Sequence, residues 1–533
     1  MRQKLFLKIV LGIVAFALLL ILLTTVVAEP WIGKKIQAAF NKSSGNYLLE
    51  IGDVDISIIK SGVELENVTL IPKQGQDSLP DLRGEIASVN FKGIKLVKAL
   101  FRKDIDIREV NVSNIRITGR TPFPKKDIPP KVSSLNIRID SLFFDNVTVD
   151  IESTSTARAY SVNDGILKIY DLRVNKLDTL SPGLIKYLDF DVQELRTVSP
   201  DSMYTFTATG INYSETSNNL AVDSFSVHPN YSDSVFTARR RFETDRFDAR
   251  FSHIFFHGCS AIEYIKSGRL TSSWVGIGRM DMNVFRDKRK KFRHVNKPAF
   301  QNVIYNYPGI IDIDSIGILS GNITYIEHVE KATEPGWISF NELNARIYTI
   351  TNDTVHKTEK PVTELKADAL LMGKAKISIL LRAKLFDRQN TFTVNGSLAE
   401  MEVSELNPML DKNAFIFASA GTIDAMNFSF TANNTKATGQ MILLYHGLDL
   451  AVKNKRTNDT TAIIEKVMSL FVNKKIMDSN PMPGEGVRIG IIDQERDTER
   501  FLFNYSFKSI LSGIKSSITK NPKKKQKEKN INI

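Results

Sequence analysis

Leu65-Glu66-Asn67-Val68-Thr69-Leu70 reads as a strand that changes face once. Side chains on a pleated strand alternate with period two, so apolar residues at positions one, four and six require one slip of the alternation, as at a bulge or tight turn. The pattern returns as Ile107-Arg108-Glu109-Val110-Asn111-Val112 and as Phe144-Asp145-Asn146-Val147-Thr148-Val149. Looser copies stand at 222–227, 313–318, 398–403 and 423–428, with no fixed period between them. Plain alternation surrounds these segments: Val54, Ile56 and Ile58; Ile105 and Ile107; Leu135, Ile137 and Ile139; Phe392 and Val394. Strands this frequent, broken by Gly, Asn, Asp and Ser turns, predict a mostly β fold built as a long antiparallel meander.

Composition narrows the rest. The chain has 533 residues, 42% hydrophobic and 24% charged, which excludes global disorder, and its single cysteine, Cys259, excludes a disulfide-stapled scaffold. The net charge of +12 sits in three places: +3 on Arg2, Lys4 and Lys8, +6 in residues 286–297 (RDKRKKFRHVNK) and +6 in residues 511–533, which leaves the body at −3. A body that is not basic argues against nucleic acid as a partner.

Ile9 to Ala28 holds 20 residues without a charge. At ~1.5 Å per residue they span about 30 Å, the hydrocarbon thickness of a bilayer. A cleavable signal peptide usually has an apolar stretch of only about 7–15 residues, so a retained transmembrane anchor is expected, N-terminus in the cytoplasm and the bulk across the membrane. Residues 1–28 are then the anchor, 29–120 a membrane-proximal unit, 121–452 the main β body, 453–520 a helical segment and 521–533 a basic disordered tail. The joint at 120 is placed by residues 121–131 (TPFPKKDIPPK), whose four prolines suit strand ladders poorly and read as a joint between units or as a long edge loop. Past 453 the spacing turns helical: Ile463, Ile464, Val467 and Phe471 form one amphipathic face, and Phe503, Phe507, Ile510, Ile514 and Ile518 another.

A short basic N-tail, one apolar helix and then ELENVTLIP (64–72), SVNFKGIKL (88–96) and IDIREVNVSNIRITG (105–119) resemble the opening of AsmA-like proteins. Residues 311–352 resemble an AsmA-type repeat, and 392–410 with 420–452 the family's C-terminal module, placed at about 391–452. The resemblance implies a protein of the Gram-negative cell inner membrane, single-pass, with its bulk in the periplasm. It also implies a long curled sheet whose apolar inner face, a β-groove, holds acyl chains during lipid transport or outer-membrane assembly. The implied partners are a phospholipid or another envelope lipid, the membrane itself and other envelope proteins. Val54, Ile56, Ile58, Ile105 and Ile107 are the groove candidates; a closed core that makes the chain an anchored scaffold for protein partners predicts the same alternation.

Chemistry-bearing motifs are absent: there is no G-x-S-x-G, H-E-x-x-H, G-x-x-x-x-G-K-[ST] or G-x-G-x-x-G. No catalytic residue, cofactor or metal is expected, and the tightest cluster, His253, His257 and Cys259, reads as turn or buried residues beside Gly258. The basic run at 286–297 reads as a solvated loop or a contact for anionic headgroups. Phe503, Phe507, Ile510 and Ile514, flanked by Lys508 and Lys515, are expected either to meet a membrane surface or to plug one end of the groove.

Overall fold

The computed structural model describes residues 34, 37–38, 41, 47–57, 62–73, 81–95, 104–121, 136–154, 158–175, 184–356, 358–359, 361–452 and 476–519. The expected anchor at 9–28, Ile58, the Ile463–Phe471 face and the 521–533 tail lie outside them. Among the described residues no helix is long and apolar enough to cross a membrane. The chain is mostly β and divides into two compact units, residues 1–230 with 251–273, and residues 231–250 with 274–533.

The first unit is built on β1 (Tyr47–Ser57), β2 (Gly62–Pro72), β3 (Asp81–Lys92), β4 (Asp104–Thr121), β5 (Asn136–Ser153), β6 (Arg158–Val174), β7 (Tyr187–Val198), β8 (Tyr204–Ser214) and β9 (Asn219–Pro229). Each strand pairs with the next, antiparallel at every step except β4–β5, which runs parallel from Asp104↔Asn136 to Thr121↔Ser153. The expected all-antiparallel meander is therefore a mixed sheet. A parallel neighbour needs a connection that returns to the starting end, on the order of a dozen residues, and the proline-rich stretch lies within that connection. The expected joint near 121 is thus internal to one unit, because the strands on its two sides pair along their whole length.

The slipped alternation is a property of the sheet. Asn67, Asn114 and Asn146 have φ of 53°, 52° and 50°. The register on either side (Asp53↔Glu66↔Ser88↔Ser113↔Asp145 and Ile51↔Val68↔Ile86↔Ile115↔Val147) puts Gly52, Asn67, Ala87, Asn114 and Asn146 on one rung. Every strand from β1 to β5 switches parity there, so Leu49, Leu70, Leu82 and Ile115 beyond the rung face the same side as Val54, Leu65, Val89 and Val112 before it, and all are buried. Asn tolerates left-handed backbone that costs other non-glycine residues about 1–2 kcal/mol, and Asn146 Nδ2 donates to Asn114 Oδ1 at 2.6 Å across the strands. A second rung, Gly93, Arg108, Asp140 and Asp171, repeats the device with φ of 69° at Gly93 and 54° at Asp171. The Ile107–Val112 copy belongs to this second rung, and the Leu65 and Phe144 copies to the first.

The second unit carries most of the strands β10 (Asp245–His257, divided between the units), β11 (Arg269–Ser272, in the first unit), β12 (Trp274–Asp287), β13 (Ile310–Ile318), β14 (Gly321–His328), β15 (Gly336–Thr351), β16 (Val362–Leu371), β17 (Ala375–Lys384), β18 (Phe392–Leu398), β19 (Met401–Glu402), β20 (Ile416–Ala432), β21 (Lys436–Val452) and β22 (Ile489–Glu495). β12 pairs in parallel with β13 and then β14, a second departure from the antiparallel expectation. From β15 onward the pairing is antiparallel through β16, β17, β18, β20, β21 and β22. Leu371, Phe392, Val394, Leu398, Phe428, Phe430, Met441, Leu443 and Ile492 form its core with Tyr505 and Ile518 of a C-terminal helix.

Helix α1 (Ala261–Ser267) belongs to the first unit and helix α2 (Leu502–Ile518) to the second. α2 lies on β22 through a face of Tyr505, Ser509, Gly513 and Ser517, and small residues let it come close. Ser516 Oγ accepts from Ile491 N at 3.0 Å and Ser512 Oγ from Asp493 N at 3.1 Å, so helix serines satisfy strand donors that β21 leaves free. A methyl group on Gly490 would sit 2.6 Å from the Gly513 carbonyl oxygen.

Asn114→Val should weaken the first unit by about 2–3 kcal/mol, combining left-handed strain with a lost hydrogen bond, whereas Asn114→Gly should cost about 1 kcal/mol. Amide hydrogen exchange in β4 and β5 reads both. Gly490→Val should lift α2 from β22, seen as faster exchange at Ile491 and Asp493 and as aggregation through the opened edge.

Candidate functional site

In the first unit, the predicted groove residues lie on one face, as the alternation requires, but in a sealed core. Ile105 is 1% exposed and Ile107 2%, Val54 is buried, and Ile56 packs against the same cluster. Val110 and Leu142 beside them are at 0%, and Ile94, Ile185 and Ile262 of α1 join the cluster. Side chains so completely excluded from water are packed on protein, so Val54, Ile105 and Ile107 do not line an open groove. The cost of exposing any one of them is roughly 1.5–3 kcal/mol.

The same face continues past the sealed part onto β7, β8 and β9. Register places Phe190 beside Tyr213 and Leu220, Val192 beside Ile211 and Val222, Leu195 beside Ala208 and Phe225, and Thr197 beside Phe206 and Val227. Of these only Tyr213 is buried; Leu195 is 40% exposed and the others lie between. The opposite face is polar: Thr209 Oγ1 meets Ser224 Oγ at 2.8 Å and Asn212 Nδ2 donates to Asp191 at 3.0 Å. Gly210, at φ 58° opposite Asp223, lets the three strands change parity together between Val192 and Leu195, Ile211 and Ala208, and Val222 and Phe225. The result is a half-wet apolar floor contiguous with a dry core, since Leu167 and Phe190 pack against that core and Phe190 stacks on Tyr213 at 5.1 Å. Alternation of Phe190 with Val192, Phe206 with Ala208, and Leu220 with Val222 was the available signal for it.

α1 is pinned where sealed and half-wet parts meet. Ser260 caps it, accepting from Glu263 N at 3.1 Å while its hydroxyl donates to Glu215. The Tyr213 hydroxyl donates to the other Glu215 oxygen and accepts from Ala261 N at 2.8 Å. Burial, with the Glu215 carboxylate beside it, drives the Tyr213 phenol far above its usual range, so it stays a donor at any physiological pH. Cys259 is buried and desolvation pushes its thiol up, which favours the less nucleophilic thiol over the thiolate. His257 Nδ1 pairs with Asn219 Oδ1 at 2.9 Å, and His253 occupies left-handed backbone at φ 53°. Among the described residues no three His, Cys, Asp or Glu side chains are grouped to hold a metal ion.

In the second unit the residues expected at a membrane separate. Phe503 and Phe507 are exposed, whereas Ile510 and Ile514 pack against the core, because the C-terminal half of α2 sinks into it. Lys508 Nζ stands 3.9 Å from Asp497. The basic run at 286–297 is partly neutralised: Arg286 makes two 2.6 Å bonds to Asp245, Lys288 pairs with Glu327 at 2.8 Å and Arg289 with Asp287 at 2.7 Å. A concavity of about 680 Å³ in this unit crosses the sheet from β16 to β22, and its lining includes Asp368, Ser378, Asn395, Ser397, Asn427 and Gln440. Two of its three rungs alternate away from the core, so it is a trough on the solvent face in which these polar side chains stand among Leu380, Ile442 and Ile489.

No protein-family model matches the chain, and no curated protein matches it.

Alkylation tests the thiol's environment. Cys259 should react with iodoacetamide at about pH 8 at least tenfold more slowly in the folded chain than in urea, where its thiol regains an ordinary pKa.

Proposed function

We propose that this chain binds lipid acyl chains on the apolar floor of β7–β9 and conducts or presents them within the cell envelope, without catalysing a reaction. The observation that carries the reading is the continuous inner face of β7–β9, apolar and half exposed opposite a polar outer face. Such a surface is costly in water unless something apolar covers it. Sheltering ten methylenes is worth about 8 kcal/mol at ~0.8 kcal/mol each, on the order of micromolar affinity, and headgroups stay in solvent at the rim. In this reading the protein is an AsmA-like, single-pass protein of the inner membrane, anchored through residues 9–28 with its bulk in the periplasm, that serves lipid transport or outer-membrane assembly.

The dry packing of β1–β6 favours a second reading, an anchored scaffold whose solid core presents protein-binding surfaces. The two differ in what touches β7–β9. A photoreactive residue at Ile211 or Phe225 should crosslink to lipid in cells while one at Ile107 does not, and Phe225→Asp should lower the lipid co-extracted with the protein, read by mass spectrometry, by at least about tenfold. Crosslinks to protein alone from Ile211 and Phe225, with no co-extracted lipid, would establish the scaffold instead.

A further inference from the structure

We propose that the outer face of α2, together with the basic run beside its first turn, docks on the surface of an anionic bilayer. Phe503, Phe507 and Leu511, four residues apart on one helical stripe, are 65%, 46% and 45% exposed. They gain nothing from the fold, because the opposite face of the helix already covers β22. An aromatic and aliphatic stripe on a surface helix is one of the two signals that stable interfacial binding requires.

The second signal is charge, and the tertiary structure assembles it. Residues 286–297 and α2 are about 200 positions apart in the chain, yet Lys297 N donates to Thr498 O at 2.7 Å, Thr498 Oγ1 to Asn296 Oδ1 at 2.9 Å, and His294 Nδ1 meets Glu499 at 3.0 Å. Lys297 Nζ lies 5.1 Å from the centre of the exposed Phe501 ring, and Arg500 3.7 Å from that of Phe292. Lys290, Lys291 and Arg293 have no carboxylate partner among the described residues, and Val295, between Arg293 and Lys297, is 42% exposed. Beyond the other end of the helix, residues 520–533 carry six lysines and one glutamate. Among the described residues, cationic groups thus stand beside the start of the apolar stripe, the arrangement that complements phosphate-bearing headgroups over acyl chains. A second copy of this chain would bring like charges together at the same face, which disfavours it as the occupant.

The test uses the full chain in proteoliposomes of phosphatidylcholine, mixed with labelled acceptor vesicles that contain about 30 mol% phosphatidylglycerol or none. Capture of acceptors, read by co-flotation, should need phosphatidylglycerol and fall steeply toward about 0.5 M salt. The triple variant Phe503→Ser, Phe507→Ser, Leu511→Ser should lose at least about tenfold of that capture, and Lys291→Glu with Arg293→Glu a comparable share, with circular dichroism and co-extracted lipid unchanged because these side chains are exposed and belong to a different unit from β7–β9. Equal capture by the triple variant, or loss confined to a Lys523→Gln, Lys524→Gln, Lys525→Gln variant, would overturn the proposal, leaving no role to the helix face. Association of the protein-bearing vesicles with one another, abolished by the triple variant and indifferent to phosphatidylglycerol, would overturn it in favour of a contact between copies.

Discussion

A strand inside a sheet cannot change face by itself, because its neighbours would then set polar side chains against its apolar ones. The first unit obeys that constraint by placing left-handed residues of adjacent strands on common rungs. Asn67, Asn114 and Asn146 stand on one, with Gly52 and Ala87 between and beside them, and Gly93 and Asp171 stand on another. Each left-handed asparagine costs a fraction of what other residues would, and the inner face it preserves buries side chains worth roughly 1.5–3 kcal/mol apiece. The comparison of magnitudes explains why the kinks are kept: a few local penalties protect a core of some two dozen buried side chains.

Along that preserved face the degree of exclusion from water changes. Over much of β1–β6 the side chains are sealed in one cluster with Ile94, Ile185 and Ile262, while Ile51, Ile86, Ile117 and Val149 pack against it partly buried. Over β7–β9 the same alternation continues without complete cover, and the polar outer face keeps the sheet soluble there. A two-faced sheet of this kind has to leave its apolar side partly wet or offer it to a ligand. The contact point between the two regimes is held by polar chemistry, since Glu215 receives both the Tyr213 and Ser260 hydroxyls and thereby fixes the start of α1.

The second unit solves a different problem, that of a sheet which stops. β22 would expose donors along its outer edge, an invitation to pair with another chain. α2 covers it with serines that accept those donors, and Gly490 and Gly513 permit the approach. The helix that closes the edge consequently turns Phe503, Phe507 and Leu511 outward, and residues 498–501 just before it meet the 286–297 run.

By itself the sequence determined the class of fold, because period-two alternation is a local property that any strand must show. It also determined that the alternation slips within the Leu65 and Phe144 copies, since an apolar residue cannot change sides without such a slip. It marked a helix near 503–518 and two basic stretches, but the helical segment expected over 453–520 contains the strand β22, Ile489–Glu495, because pairing with β21 is decided outside any local period. Which strands are parallel, which rung each slip occupies and where the units divide depended on pairing between segments far apart in the chain. Nor could alternation separate Ile107, sealed at 2% exposure, from Ile211 and Phe225, which stay half open, because burial depends on what lies across the face. Ile510 and Ile514 share a helical stripe with Phe503 and Phe507 in sequence, and only the depth at which α2 sinks into the core set them apart. The physical reason is common to all of these cases: period is written residue by residue, whereas exclusion from water is settled by neighbours that only the folded chain brings together.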